Sequence, residues 1–178
     1  ATGSDSDGKG LGDTAVKIAR HAHCPVLLVR QGPVDVKGPI LAATDLSDPG
    51  QGALSMAALF SAKISAPLVA IHVVDYSPVV MVPDAFGPGV PIPVGEEEHG
   101  AILKAARDRL DEVLGELGVK ADCLLEEGSP PDRIVTTAGQ IDASLVVVGT
   151  SGGGGLRRML LGSVAEDVAR QASCPVLL

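Results

Sequence analysis

Residues 149–163, GTSGGGGLRRMLLGS, carry the densest chemical signal in this chain. A four-residue apolar run, Leu145–Val148, ends where they begin. Glycines then stand at 149, 152, 153, 154 and 155. Without side chains, several of these can take positive φ, so that successive N–H groups converge on an anion. Gly162-Ser163 follows and opens a helical pattern, where free N–H groups and the positive dipole end favour phosphate and Ser163 adds a hydroxyl. The chemistry implied is phosphate binding by backbone. It is not a P-loop, because no Gly-Lys-Ser/Thr places a lysine on the phosphates. It is not the dinucleotide fingerprint either, because it follows the fourth strand-like run, not the first. Arg157 and Arg158 within it read as solvated surface.

The remaining chemistry-bearing residues are sparse. Asp45 follows the first apolar run, Pro39–Thr44, and Val73–Asp75 closes the second, Pro67–Val74. His72 reads as a satisfied core residue. His21 and His23 lack a carboxylate or cysteine at ligand spacing, so no metal site is expected there. Cys24, Cys123 and Cys174 show neither CxxC nor metal spacing and read as buried structural thiols. Glu96–Glu98 suit a helix start, and Asp132 with Arg133 reads as a surface pair in a first helical turn. No Ser-His-Asp or Cys-His constellation can be assembled.

Positioning these residues requires alternating strands and helices. The apolar runs at 39–44, 67–74, 119–126, 145–149 and from 175 onward predict five strands. Helices are expected over about 50–64, 96–117, 131–140 and 162–172. Leu103, Ala106, Leu110, Val113, Leu114 and Leu117 form one stripe of the second helix. Pro78, Pro83, Pro88, Pro91 and Pro93 predict a surface loop without regular structure over residues 76–95. Strands separated by helices imply an α/β fold with a parallel sheet covered on both faces, and ligands beyond the carboxyl ends of the strands.

Self-similarity divides the chain. Leu11–Leu28, LGDTAVKIARHAHCPVLL, and Leu161–Leu178, LGSVAEDVARQASCPVLL, agree at 11 of 18 positions with an offset of 150. A period that long is a domain. Residues 1–30 therefore read as the closing helix and strand of a preceding domain, 31–38 as a Pro/Gly linker, and 39–178 as a nearly complete second copy. In the first copy Asp13 replaces Ser163, and Asp5 and Asp7 lie where the glycine loop would be. Carboxylates there repel phosphate, so the first copy is expected to have lost its ligand.

Composition narrows the partners. Of 178 residues, two are Phe, one is Tyr and none is Trp, so Ala, Val, Leu and Ile must fill the core. The net charge of −8 argues against nucleic acid and anionic membrane. No apolar run reaches the ~18 residues of a membrane span and no signal peptide opens the chain, which together imply a cytoplasmic protein.

The spacing Gly149-x2-Gly152-x9-Gly162-Ser163 resembles the ATP-binding motif of the universal stress protein family. Ala43-Thr44-Asp45-Leu46-Ser47, Ile71-His72-Val73-Val74-Asp75 and Cys174-Pro175-Val176-Leu177 agree with it. The resemblance implies a five-stranded parallel sheet of order 3-2-1-4-5 with helices on both faces. It also implies ATP (or ADP or AMP) accompanied by Mg²⁺, without strong turnover. Pairing through the last strands, as a homodimer or within one chain, is implied as well. Asp45 would meet the adenine or ribose end, and the Val73 backbone would read the adenine edge. Gly149 and Gly152 would admit the phosphates to the backbone, and Gly162, Ser163 and Val164 would hold the β and γ phosphates. Thr44, Thr150 and Gly153 complete the expected binding set. The family's usual histidine at the position of Ser151 and its basic or polar residue at Gly153 are missing, which implies a weaker grip. Three functions follow in order: a nucleotide-dependent regulatory module, a structural tandem or transporter tail, and a slow ATPase.

Overall fold

The computed structural model describes residues 13–29, 37–75, 79–84, 87–93, 95–150 and 161–178. Its elements run α1 (Asp13–His21), β1 (Leu27–Leu28), β2 (Ile40–Ala43), α2 (Asp48–Ile64), β3 (Leu68–Val74), β4 (Val79–Asp84), β5 (Gly87–Pro93), α3 (Glu96–Leu117), β6 (Asp122–Glu127), α4 (Pro130–Gln140), β7 (Leu145–Val148), α5 (Ser163–Gln171) and β8 (Val176–Leu177).

Local sequence sets the helix limits. Ser47 caps α2, its Oγ accepting from the Gly50 N–H at 3.4 Å, and Pro49 stands in the first turn, where a missing N–H costs nothing. The helix ends at Ser65 in the left-handed region (φ 55°). Gly118 ends α3 the same way (φ 63°), where glycine adopts that conformation without strain.

The main sheet runs β1-β8-β7-β2-β3-β6. From β6 to β8 all pairings are parallel, with Ile40 opposite both Leu68 and Leu145. The expected 3-2-1-4-5 order is thus present, but the sheet is mixed and six-stranded. The added strand is β1, antiparallel to β8 with Leu27 opposite Leu177. Val26 and Leu178 exchange N–H···O bonds of 2.9 and 3.0 Å beside that pair. Leu27 and Leu177 are equivalent positions of the sequence repeat, so a local two-fold axis passes between them and relates α1–β1 to α5–β8.

Side-chain alternation divides the core. Ile40, Ala42, Ala70, Leu145 and Val147 face α2 and α3, where Ala53, Leu54, Leu110 and Val113 cover them. Leu41, Ala43, Ile71, Val146 and Val148 face α4 and α5, meeting Ile134, Ala138, Ala165 and Val168. Strands buried on both faces read as unbroken apolar runs, and each fully buried Leu or Ile contributes about 1.5–3 kcal/mol.

One expectation fails here. The proline-rich stretch holds the β4–β5 hairpin, with Val80 opposite Ile92 and Met81 opposite Pro91. Pro91 and Pro93 are two residues apart, so both missing N–H groups fall on the same side of β5, and that side is the outer edge of a two-stranded ribbon. The register shifts between Val82 and Asp84, so Pro83 sits at the irregularity. Edge, phase and bulge are the three places where a strand tolerates proline.

The thiols also differ from expectation. Cys24 is exposed, while Cys123 and Cys174 are half-buried. Cys24 lies in the turn before β1, which is the outermost strand of its sheet. Cys123 is held as a thiol, its pKa pushed up first by burial and then by its hydrogen bond with Asp111. Among the described residues no helix is long and apolar enough to cross a membrane.

Candidate functional site

At the carboxyl edge of the sheet, β2 and β7 stand side by side while their chains leave in different directions. Residues 44–47 pass to α2, and the glycine loop leaves β7 and returns at α5. Between them lies a cavity of about 200 Å³. Thr44, Asp45, Val73, Gly149, Gly162, Ser163 and Val164 line it, all of them expected from the sequence. Thr150, also expected, does not line this cavity but a separate one beside α1 and α2; its carbonyl accepts the Gly162 N–H at 2.7 Å, which fastens the two ends of the glycine loop. Gly152, Gly153, Arg157 and Arg158 lie outside the described residues.

The β2 end is a small hydrogen-bonded knot. Thr44 is buried (6 % exposed) and its N–H continues the ladder to the Ile71 carbonyl at 3.0 Å. Its hydroxyl accepts from the Leu46 N–H at 3.0 Å, holding Leu46 at φ 64°. Left-handed backbone costs a leucine roughly 1 kcal/mol, so the surrounding bonds must impose it. Asp45 turns one carboxylate oxygen onto the Ser47 N–H (3.1 Å) and Ser47 hydroxyl, the same serine that caps α2. His72 donates from Nδ1 to the Thr44 carbonyl at 2.8 Å and so is tied to the site's rim without lining it.

Two glycines set the width of this passage. A Cβ on Gly50 would stand 2.5 Å from Asp45 Oδ1 and 2.7 Å from Thr44 Oγ1. A Cβ on Gly149 would stand 3.0 Å from the Pro49 carbonyl oxygen. The start of α2 and the end of β7 therefore approach so closely that a Cβ at Gly149 would require the Pro49 backbone to give by a few tenths of an ångström.

The α5 end is arranged differently. Gly162 is its N-cap and makes no side-chain cap, since it has none to offer. Helical N–H groups of the first turn have no intrahelical acceptor, and those of residues 163 and 164 open at the cavity wall. The apolar part of the wall comes from Ala43, Ile71, Val148, Pro130 and Ile134. The cavity thus offers an apolar wall from β3 and α4, a carboxylate just after β2, and the backbone of Gly149 and of the α5 start.

Gly50, Pro130 and Ile134 were not expected from sequence. Gly50 reads as an ordinary residue after a helix-starting proline, and only the approach of Asp45 makes it special. Pro130 reaches the site because β6 lies beside β3, and that adjacency carries no local signal. Asp132 and Arg133 are exposed in the first turn of α4 as expected, and Arg133 also reaches back to the Glu127 carbonyl at 2.8 Å.

A profile of the universal stress protein family matches residues 38–178. The chain belongs to that family. Universal stress protein MJ0531 of Methanocaldococcus jannaschii is 40 % identical over 139 residues, covering 78 % of this chain and 79 % of that protein. Among solved structures, a universal stress protein of Pseudomonas aeruginosa UCBPP-PA14 superposes with a TM-score of 0.74 at 23 % identity. It covers 99 % of this chain and 60 % of its own, so the present chain spans about three fifths of that molecule. A universal stress protein solved in complex with cAMP aligns with a TM-score of 0.50 at 26 % identity, covering 80 % of this chain and 95 % of its own. The family's α/β architecture, with helices on both faces of the sheet, is the one described above.

Proposed function

We propose that this universal stress protein binds an adenine nucleotide, ATP with Mg²⁺, in the cavity between β2 and β7, and that occupancy regulates a partner surface. The observation that carries the reading is the convergence of three unlike walls on one space: an apolar slot, a carboxylate and uncapped backbone donors. A planar base suits the slot beside Val73 and Ile134. Asp45 is placed for a ribose hydroxyl or exocyclic amine, since it accepts hydrogen bonds only. Phosphates suit the α5 start and Gly149, where N–H groups and the helix dipole meet. Among the described residues no cationic side chain lines the cavity, and Mg²⁺ carried on the phosphates would supply balancing charge. A family relative solved with cAMP supports the adenine nucleotide as ligand class.

Among the described lining residues no lysine is present and Asp45 is the one titratable side chain, which favours sensing over fast turnover. The regulatory reading extends to organisation. Residues 13–29 read as the closing helix and strand of a preceding copy of the domain, joined to β8 within one chain and located in the cytoplasm.

The test is mass spectrometry of nucleotide released from purified protein, with calorimetric titration of ATP, beside Gly149→Val. ATP or ADP released from the wild type and lost in the variant is the expected result. A wild type that carries no nucleotide and takes up none at millimolar concentration would overturn the proposal.

A further inference from the structure

Glu166 lies in the first turn of α5, one turn beyond Ser163. Asp167 follows it, so the helix start carries two carboxylates. Acids there suit the helix dipole, but they oppose any phosphate that approaches the same end. Two guanidiniums hold the first of them, Glu166. Arg170, on the same helix, places Nε and Nη2 at 3.3 and 3.1 Å from Glu166 Oε1. Arg20, from α1, places Nη2 at 2.7 Å from Glu166 Oε2 across a sequence separation of 146. Burial alone would raise the Glu166 pKa; the bonds from Arg170 and Arg20 outweigh it and hold the carboxyl below its ordinary value.

This contact is one-sided. The two-fold axis that relates α1 to α5 equates Arg20 with Arg170 and residue 16 with Glu166. A mirror-image pair would need an acid at residue 16, where the chain has Val16. Both copies carry the arginine, whereas the acid occurs only in the copy whose glycine loop is intact. Nor is the ion pair needed for packing. Ala15, Ala19, Ala169 and Leu28 form the contact between the helices. Arg20 Nε is in fact buried without a hydrogen-bond partner, an arrangement that works against stability.

We propose that Arg20 is a specificity residue acting in trans from the α1 segment: by adding a second cation on Glu166, it offsets the two-carboxylate charge of the α5 start, lets that helix end accept a polyphosphate and favours ATP over AMP. The inference rests on the nucleotide reading given above. It assigns to the N-terminal copy, which has an aspartate in place of the phosphate-site serine, a part in its neighbour's affinity.

In Mg²⁺-free buffer, where each added phosphate keeps its charge, the experiment titrates ATP, ADP and AMP calorimetrically into wild type, Arg20→Gln, Arg20→Lys, Glu166→Gln and the Arg20→Gln/Glu166→Gln pair. A unit charge about 10 Å from each added phosphate charge, at an effective dielectric between protein and water, changes affinity about two- to threefold. Arg20→Gln is therefore expected to lower the ATP-to-AMP affinity ratio about fivefold. Arg20→Lys should keep the ratio, Glu166→Gln should raise it, and the double variant should return it towards wild type. A structural clamp behaves otherwise: either single neutral variant weakens all three nucleotides alike, and the double variant restores nothing. That pattern, or an unchanged ratio in Arg20→Gln beside normal wild-type binding, overturns the role of Arg20 alone. A wild type that binds none of the three overturns the nucleotide reading and this inference with it.

Discussion

Replacing Gly50 by alanine sets two effects of known sign against each other. Gly50 lies in the first turn of α2, and alanine in a helix is favoured over glycine by up to about 1 kcal/mol. Its Cβ, however, would stand 2.5 Å from Asp45 Oδ1 and 2.7 Å from Thr44 Oγ1, so those oxygens must each move by nearly an ångström. Asp45 is exposed and can swing away, but it then releases the Ser47 N–H and hydroxyl. Thr44 is buried, and turning its hydroxyl strands the Leu46 N–H in its left-handed turn. Two to three hydrogen bonds at about 1 kcal/mol each outweigh the helical gain, leaving a net loss of about 1–2 kcal/mol. Gly52→Ala is the internal control, because nothing lies within 4 Å of its added Cβ. Thermal denaturation should show Gly52→Ala melting slightly higher than wild type and Gly50→Ala lower, by roughly 2–4 °C per kcal/mol. Because Asp45 and Thr44 line the cavity, ATP affinity measured by calorimetry should fall about tenfold in Gly50→Ala, which is ~1.4 kcal/mol. It should stay unchanged in Gly52→Ala. A Gly50→Ala protein that melts higher than wild type and binds ATP normally would refute the clash argument.

Other outcomes follow from single features. Ser163→Glu places a carboxylate at the uncapped start of α5, and calorimetry should show ATP affinity falling by at least tenfold while the melting temperature holds or rises slightly, since an acid at that end suits the helix dipole. Ser65→Gly removes a side chain from an exposed left-handed residue (φ 55°) and should raise stability by up to about 1 kcal/mol in urea titrations. Glu166 has a folded pKa below its unfolded value, so its ion pairs contribute stability that is full above the ordinary glutamate value of about 4.3 and is lost as pH falls through the folded value. The stability difference between wild type and Glu166→Gln should accordingly be constant near neutrality and shrink in acid; a difference that persists at pH 2 would mean that packing, not charge, links α1 to α5.

What the sequence discloses depends on whether the cause is local. The stripe Leu103–Leu117 and the runs at 40–43 and 145–148 announce α3, β2 and β7, because periodicity and burial are written in adjacent residues. The cavity-lining positions Gly149, Gly162 and Ser163 are legible because glycine after an apolar run marks a strand-to-loop junction in adjacent residues. Comparison of 11–28 with 161–178 reveals the repeat, and the two-fold pairing of Leu27 with Leu177 is its physical expression. The β4–β5 hairpin escapes such reading, since proline count says nothing about which side of a ribbon each ring occupies. Gly50, Pro130 and Ile134 escape it too. Their importance arises from neighbours brought together by parallel crossovers, and Glu166 gains its second partner from a helix 146 residues away.

The seam between β1 and β8 is only two residues long on each side. Two separate molecules would gain little from so short a ladder, because association must first overcome the loss of their independent motion. Here 11 residues, Val29–Pro39, join β1 to β2, and β2 is held to β8 through β7 of the same sheet. A short tether gives each strand a millimolar effective concentration of the other, whatever the dilution of the protein. The pairing is therefore a unimolecular equilibrium: lowering the protein concentration leaves it intact, whereas cutting the backbone within the tether would turn it into an ordinary, weak, concentration-dependent encounter.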